Sequence, residues 1–216
     1  STLLENVGGI YLPLMANGTV IVPPATATGF SGSTGLDLPR LIWALERHRP
    51  TSIILLPQML VGLVSCLEAG WRPPEELRFA AVGGARVDAE LLWRARQLGL
   101  PVYEGYGLSE TGSVCCLNRP GDEQVGSVGK PLKHVSISIE AGEILVSGNT
   151  FLGYVGNPAS WGQPRVATGD LGRQDENGFI YIEGRRKNVL ISSFGRNISP
   201  EWIESQLLAH SLITQC

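Results

Sequence analysis

Strands and helices alternate through the first half of this sequence, and this alternation constrains the fold more than any other feature. The apolar run 51–56 shows little polar alternation, as expected for a strand covered on both faces. The predicted elements are strands at 51–56, 77–82 and 100–103, a helix from Pro57 that ends before Gly70, and a helix after Asp88 that ends at Gly99. Strands joined by helices of this length form right-handed βαβ crossovers and a parallel sheet.

The flanking patterns predict further elements before and after this region. Before it, we expect a glycine-interrupted helix at 3–15, a strand at 19–22 closed by Pro23-Pro24, a loop at 25–36 and a helix at 38–49. After it, alternation predicts strands at 135–139 and 144–146. Further strands are expected at 179–182 and 188–191, and Ser199-Pro200 predicts a final helix.

These patterns together indicate an α/β protein in three parts. Residues 1–120 form a parallel βαβ subdomain, residues 121–184 a β-rich, barrel-like or sandwich-like subdomain of the same domain, and residues 185–216 a hinge and the start of a small α+β C-terminal domain. Because the sequence starts at Ser1 without Met and ends in an apolar segment, we expect a fragment of a longer protein.

Composition excludes several classes of function. A formal net charge of −3 gives no basic field, which argues against nucleic acid as the main partner. The four cysteines contain no Cys-x-x-Cys pair and the three histidines are scattered, which argues against structural zinc and favours a reducing cytoplasm. We predict no membrane span, because no run approaches about 20 apolar residues, and no signal peptide, because the early apolar segment lacks a basic lead and a cleavage pattern.

Two glycine loops predict a ligand site. Gly83-Gly84-Ala85 follows one predicted strand, and the stretch Glu104–Gly112 follows the next. In parallel sheets ligands bind beyond the carboxyl ends of the strands, where both loops fall. The stretch contains side chains suited to binding a nucleotide: the ring of Tyr106 for a base, the hydroxyl of Ser109 for a phosphate and the carboxylate of Glu110 for a hard cation.

Two later motifs can complete such a site. Thr168-Gly169-Asp170 is predicted to lie in a polar loop, where its carboxylate can accept hydrogen bonds from a ribose diol, and Gly184-Arg185-Arg186-Lys187 can supply cations for phosphate. Taken alone, each motif is better explained without a ligand, the first as an aspartate turn and the second as a solvated basic face.

The order of these motifs resembles that of the adenylate-forming superfamily, which includes acyl- and aryl-CoA ligases, peptide-synthetase adenylation domains and firefly-luciferase-like enzymes. The resemblance covers nearly the whole chain and rests on these segments: 8–14, 83–85, 106–110, 126–131, 142–144, 168–172, 178–180, Gly184-Arg185-x-Lys187, and Gly195-x-Asn197-Ile198-x-Pro200 followed by Ile203-Glu204.

The resemblance implies an ATP-dependent acid–thiol ligase that uses Mg²⁺ and coenzyme A. A carboxylic acid, with a fatty acid as first choice, would react with ATP to give acyl-AMP and pyrophosphate, and a thiol would then capture the acyl group. The alternatives are an aryl-CoA ligase, an adenylation domain that loads a carrier protein, and a catalytically dead nucleotide-binding remnant.

The resemblance also implies roles for individual residues. Ser109 and Glu110 would be catalytic, contacting the α-phosphate and Mg²⁺ respectively, and Lys187 would be the hinge before the C-terminal domain. Tyr106 would stack on adenine and Asp170 would bind the ribose hydroxyls. The remaining nucleotide-binding residues would be Gly83, Gly84, Ala85, Glu104, Gly105, Gly107 and Arg185. Small apolar residues at 114–116 permit a fatty chain nearby, although core packing is the favoured interpretation of Cys115 and Cys116.

Two departures from the family pattern lead to a further expectation. The phosphate loop that ends in Pro-Lys is absent before Gly8; Ser31–Gly35 imitates it, but follows Gly8 and continues as Leu36-Asp37. The late catalytic lysine is also missing, so we expect this chain alone not to catalyse adenylation. A serine hydrolase is a weaker alternative, because Gly107-Leu108-Ser109-Glu110-Thr111 has Thr111 where the nucleophile elbow requires glycine.

Overall fold

A computed structural model describes residues 3–31, 35–191, 197–210 and 213. The chain divides into two compact units, the first up to Val82 together with Glu90–Tyr103, the second made of Gly83–Ala89 and the chain from Glu104 onward. The domain boundaries expected from the sequence stay a prediction.

The first unit is the predicted βαβ region with an N-terminal helical segment. Its helices are α1 (Leu3–Asn6), a π-helical stretch (Val7–Tyr11), α2 (Leu12–Met15), a 3₁₀ turn (Ala25–Thr28), α3 (Leu38–His48), α4 (Pro57–Glu68) and α5 (Ala89–Gln97). Its strands are β1 (Phe30–Ser31), β2 (Gly35–Leu36), β3 (Ser52–Leu55), β4 (Phe79–Val82) and the start of β5 (Val102–Tyr106). Strands β3 and β4 are parallel, and the Ala80 amide donates to the Pro101 carbonyl at 2.8 Å.

Local sequence signals place the helices of this unit. Pro57 occupies the first turn of α4, and Asp37 accepts a hydrogen bond from the Arg40 amide at the start of α3. Gly70 and Gly99 follow α4 and α5 with φ of +101° and +89°, angles that glycine tolerates best. The predicted helix at 3–15 also forms, and it continues through its two glycines as a π-helical stretch. The core lies between the helices and the strands and includes Leu55, Leu60, Leu63, Leu91 and Val102.

Two predictions for the early chain are wrong. Residues 19–22 form no strand, and Val22 is 73% exposed. No segment in the described part of the chain pairs with residues 19–22, and the following Pro23-Pro24 has no amide hydrogen to donate to a neighbouring strand. The predicted loop 25–36 instead contains the 3₁₀ turn and the short antiparallel pair β1–β2.

A cavity of about 660 Å³ lies in the first unit between the N-terminal helical segment, the irregular segment around Ile21 and α3. None of the residues predicted to bind nucleotide lines it.

The second unit is mostly antiparallel. Its remaining elements are a 3₁₀ turn (Ser109–Thr111), β6 (Cys116–Leu117), β7 (Lys130–Pro131), β8 (Ser136–Glu140), β9 (Glu143–Ser147), a 3₁₀ turn (Pro158–Ser160), β10 (Arg165–Gln174), β11 (Ile180–Arg185), β12 (Leu190–Ile191), β13 (Asn197–Ile198) and α6 (Pro200–Leu208). The end of β5 pairs with β6 and β6 with β7, while β8 to β11 form an open antiparallel sheet in the order β11-β10-β9-β8.

The core of the second unit explains its two adjacent cysteines. Cys115 and Cys116 are fully buried and pack with Val128, Ile144 and Val146. This arrangement confirms core packing as the interpretation of both thiols.

One site motif lies in a different kind of structure from the one predicted. Thr168-Gly169-Asp170 lies inside β10 and not in a loop. A β-bulge interrupts the pairing of β10 with β9 between Ala167 and Leu171, and the pairing resumes at Leu171. At the bulge Gly169 has φ of +77°, and its amide donates to the Glu143 carboxylate at 2.8 Å. The bulge therefore keeps a polar, glycine-containing segment within a strand.

Some predictions concern residues outside the described ranges. Gly32, Ser33 and Thr34 of the phosphate-loop-like run lie there, as do Gly195 and Cys216. Within the described ranges, no helix has the length and apolar character that crossing a bilayer requires, and His, Cys, Asp and Glu form no group of three or more that could hold a metal.

Candidate nucleotide site

The two predicted glycine loops meet inside the second unit. Gly83 is buried, and a Cβ atom added there would stand 2.9 Å from the carbonyl oxygen of Gly105. Gly84 and Ala85 are exposed beside it, and Gly84 has φ of +85°. Glycine at 83 therefore lets the backbones of the two loops lie in contact, with Gly84 and Ala85 presented to solvent.

A tight turn after β5 positions the residues that follow Tyr106. A Cβ atom on Gly107 would overlap the carbonyl oxygen of Ser113. Thr111 closes the turn by donating its hydroxyl to the Leu108 carbonyl at 3.1 Å, and Ser113 takes φ of +95°. The turn leaves the Ser109 side chain exposed and Glu110 half-buried.

Tyr106 and Asp170 meet although 64 positions separate them in the sequence. The Tyr106 hydroxyl donates to Oδ2 of Asp170 at 2.6 Å. Burial raises the pKa of Tyr106, and the hydrogen bond to Asp170 raises it further. The tyrosine is therefore a neutral donor that orients this carboxylate.

The other oxygen of Asp170 faces a cation. Arg185 is its neighbour across the β10–β11 pair, and Arg185 Nε lies 3.1 Å from Oδ1. Thr168 fixes the backbone by accepting the Asp170 amide at 3.0 Å while donating to the Ile144 carbonyl at 2.8 Å. A carboxylate has about four lone-pair sites, so two protein partners leave capacity for two further hydroxyl donors.

Glu104 is a buried carboxyl group beneath the first glycine loop. Its side chain accepts the Val87 amide, and burial raises its pKa to about 8, an effect that Arg86 opposes and Asp88 reinforces. Burial lowers the pKa of Arg86, whose guanidinium donates to the Ile182 carbonyl at 3.0 Å. Glu104 therefore binds the Val87 amide, just after the first glycine loop, and does not present its carboxylate to solvent.

Glu110 fits its predicted role as a ligand for Mg²⁺. Its carboxylate accepts a hydrogen bond from the Tyr154 hydroxyl. Mg²⁺ keeps most of its waters and commonly binds proteins through one or two carboxylates together with substrate phosphates. A single half-buried carboxylate thus suits a cation that arrives with ATP.

Lys187, the predicted hinge, lies in an exposed turn directly after β11. The turn is closed by the Asn188 amide, which donates to the Arg185 carbonyl at 2.9 Å, while the Arg186 amide donates to the Gly169 carbonyl at 2.8 Å. The start of the turn is thereby attached to the bulge that carries Asp170.

The structure adds supporting residues that sequence reasoning missed: Arg86, Glu143, Tyr154 and Thr168. Thr168 belonged to a recognised motif, so its hydroxyl could have been assigned a role from the sequence. Glu143 likewise lies in the recognised segment 142–144. Arg86 and Tyr154 make contacts across long sequence separations and leave no local signal.

The family profile described as AMP-binding enzyme matches residues 4–155. The chain belongs to this family of adenylate-forming enzymes, as the sequence motifs indicated. Membership in this family argues against the serine hydrolase alternative.

Two curated relatives illustrate the range of the family. The chain is 42% identical over 144 residues to a long-chain-fatty-acid–CoA ligase, FadD15, of Mycobacterium bovis, covering 64% of this chain and 24% of the relative. It is 35% identical over 196 residues to a 2-succinylbenzoate–CoA ligase of Bacillus pumilus, covering 83% of this chain and 40% of the relative. The chain thus spans less than half the length of these relatives.

Solved structures confirm the predicted fold class. The o-succinylbenzoate CoA synthetase of Bacillus subtilis in complex with its acyl-adenylate intermediate matches 98% of this chain and 44% of its own, with 30% identity and a TM-score of 0.80. The same enzyme with ATP and magnesium ion gives a TM-score of 0.78, again at 30% identity, over 98% of this chain and 45% of its own. An anthranilate CoA ligase, at 22% identity and a TM-score of 0.81, shares the fold over 99% of this chain and 43% of its own.

Proposed function

We propose that this chain is the adenosine-binding part of an ATP-dependent ligase that activates a carboxylic acid as acyl-AMP and transfers the acyl group to coenzyme A. The observation that carries the proposal is the pairing of Tyr106 with Asp170 at 2.6 Å. It places an aromatic ring beside an oriented carboxylate, the two groups that a base and a ribose require.

The described side chains can perform separate parts of this reaction. Asp170, oriented by Tyr106 and Arg185, accepts the ribose hydroxyls, while Gly84 and Ala85 present backbone to the base. In the first half-reaction a substrate carboxylate oxygen bonds to the α-phosphorus of ATP, and the bond to pyrophosphate breaks. The Ser109 hydroxyl donates to the α-phosphate. Mg²⁺ held by Glu110 would neutralise charge on the phosphates.

In the second half-reaction the sulfur of coenzyme A attacks the acyl carbonyl. AMP leaves with the bonding electrons, and the thiol proton passes to solvent. Lys187, in its exposed turn between β11 and β12, is the residue about which the C-terminal segment would turn between the two steps.

A fatty acid is the first choice of substrate, and the 42% identity to a long-chain-fatty-acid–CoA ligase supports it. An aromatic acid is the second candidate, because the 2-succinylbenzoate–CoA ligase match extends over more of the chain. A carrier protein as acyl acceptor, and a remnant without catalysis, are the remaining alternatives.

Pyrophosphate release should be measured on the native polypeptide that contains this sequence, with fatty and aromatic acids and with coenzyme A present or absent. Asp170→Ala should lower kcat/KM for ATP by about 100-fold, since two hydrogen bonds to a charged acceptor are lost. Glu176→Ala, which removes an exposed carboxylate from the turn between β10 and β11, is the matched control. Unchanged ATP kinetics in Asp170→Ala would refute the proposal.

A further inference from the structure

Tyr154 contacts the side chain predicted to hold the metal. Its hydroxyl donates to Oε1 of Glu110, although 44 positions separate the two residues. Tyr154 belongs to an irregular segment, residues 149–161, which we call the tyrosine loop. Because a phenol facing a carboxylate acts as donor, the hydrogen bond fixes one carboxylate oxygen and leaves the other to face a cation.

The tyrosine loop is attached to the backbone at Glu110 itself and at the next residue, Thr111. The Phe151 amide donates to the Glu110 carbonyl at 2.8 Å, and the Asn149 side-chain amide donates to the Thr111 carbonyl at 3.3 Å. The contact between Tyr154 and Glu110 therefore belongs to a set of contacts between the same two segments, and a chance meeting of two long side chains does not explain it.

Contacts within the loop hold Tyr154 in place. The Phe151 ring packs edge-on against the Tyr154 ring, with centroids 4.7 Å apart. The Tyr154 amide donates to the Ser160 hydroxyl at 2.8 Å, and the Trp161 indole donates to the Tyr154 carbonyl at 2.9 Å. The ring and the backbone of Tyr154 are both fixed, so its hydroxyl stays directed at Glu110 even though half of the side chain is exposed.

We propose that Tyr154 is a positioning residue that holds the Glu110 carboxylate in the orientation needed for a divalent cation arriving with ATP. This inference rests on the proposed function, in which Glu110 holds Mg²⁺. Hydrogen-bond partners of metal-binding carboxylates typically contribute 10- to 100-fold to metal affinity or activity, about the effect expected here. The tyrosine loop is thus part of the cation site although it supplies no ligand.

The test is a calorimetric titration of the native polypeptide with Mg²⁺ at fixed β,γ-imido-ATP, repeated with the nucleotide alone. The variants are Tyr154→Phe, Glu110→Gln and, as a matched control, Tyr181→Phe. Tyr181 donates to Asp175 at 3.1 Å within the same unit, so its loss removes the same kind of hydrogen bond away from Glu110. Thermal melting of each variant separates altered binding from altered folding.

Tyr154→Phe should raise the Mg²⁺ concentration for half-saturation about 10-fold or more, with nucleotide affinity in the absence of Mg²⁺ unchanged. Tyr181→Phe should titrate like the wild type. The inference is overturned if Tyr154→Phe titrates like the wild type, or if it loses the same nucleotide affinity with and without Mg²⁺. In either case the proposed function stands, provided that Glu110→Gln has lost the Mg²⁺ response. A full Mg²⁺ response in Glu110→Gln overturns the metal assignment and the inference together.

Discussion

The carbonyl oxygen of Gly105 lies 2.9 Å from the point where a Cβ atom on Gly83 would stand. A side chain at position 83 would therefore separate the two loops that form one side of the candidate site. Gly83→Ala should lower the free energy of unfolding by about 1–3 kcal/mol and weaken AMP binding. Urea denaturation and AMP titration measure the two effects.

Gly121→Ala is the control for this prediction. Gly121 has φ of +77° and no atom within 4 Å of an added Cβ, so the change should cost about 1 kcal/mol through backbone strain alone. AMP binding should be unaltered. Unaltered AMP affinity in Gly83→Ala as well would mean that loop contact does not shape the site.

The buried carboxyl group of Glu104 predicts a pH-dependent stability. Burial raises its pKa to about 8 in the folded protein, from 4.5 for the exposed group. Between these values the unfolded chain releases a proton that the folded chain keeps, so the contribution of Glu104 to stability is fully present below pH 4.5 and is lost as pH rises towards 8. The slope should approach about 1.4 kcal/mol per pH unit.

Glu104→Gln should remove this contribution, because the amide cannot ionise yet still offers an oxygen to the Val87 amide. Unfolding free energies measured between pH 5 and pH 9 should then decline less steeply than in the wild type, with Glu176→Gln as the exposed control. Identical slopes in Glu104→Gln and wild type would place the titration elsewhere.

The Tyr106 hydroxyl and ring should contribute separately to AMP binding. Tyr106→Phe keeps the ring but leaves Asp170 with Arg185 as its side-chain partner in the described part of the chain, so AMP affinity should fall about 10-fold. Tyr106→Ala should cost more, because it also removes the face that stacks on adenine. Equal affinities in the two variants, measured by calorimetry, would remove the ring from the base site.

Lys187→Pro should impair thioester formation more than acyl-AMP formation. The substitution fixes φ at position 187 and restricts Arg186, and so limits rotation in the exposed turn after β11. Pyrophosphate release and acyl-CoA yield in the native polypeptide measure the two steps. Lys187→Ala serves as the charge-removing control, and equal losses in both steps for Lys187→Pro would contradict a hinge.

The helices and strands that could be predicted from the sequence are those whose signals are local. Pro57 and Gly70 mark the limits of α4, and the alternation from 135 to 146 predicted β8 and β9, because each signal reports short-range backbone preference. The strand expected at 19–22 failed because apolar character alone does not supply a pairing partner. The loop expected at 168–170 failed because a long-range hydrogen bond from Gly169 to Glu143 keeps the bulge in a strand.

The candidate site shows the same division. Tyr106 and Asp170 could be selected by residue type and motif, and the structure brings them together. The partners of Glu104 and Glu110 could not be selected in this way, since Arg86 and Tyr154 are chosen by tertiary packing. Their roles depend on where separate segments meet, which no local pattern reveals.

Discrimination between AMP and 2′,3′-dideoxy-AMP tests the central claim most directly, because Asp170 is proposed to bind the ribose hydroxyls. Calorimetry should show that the wild-type polypeptide binds AMP at least about 10-fold more tightly than the dideoxy nucleotide, and that Asp170→Ala binds both equally weakly. The same preference for AMP in Asp170→Ala as in the wild type would contradict the account.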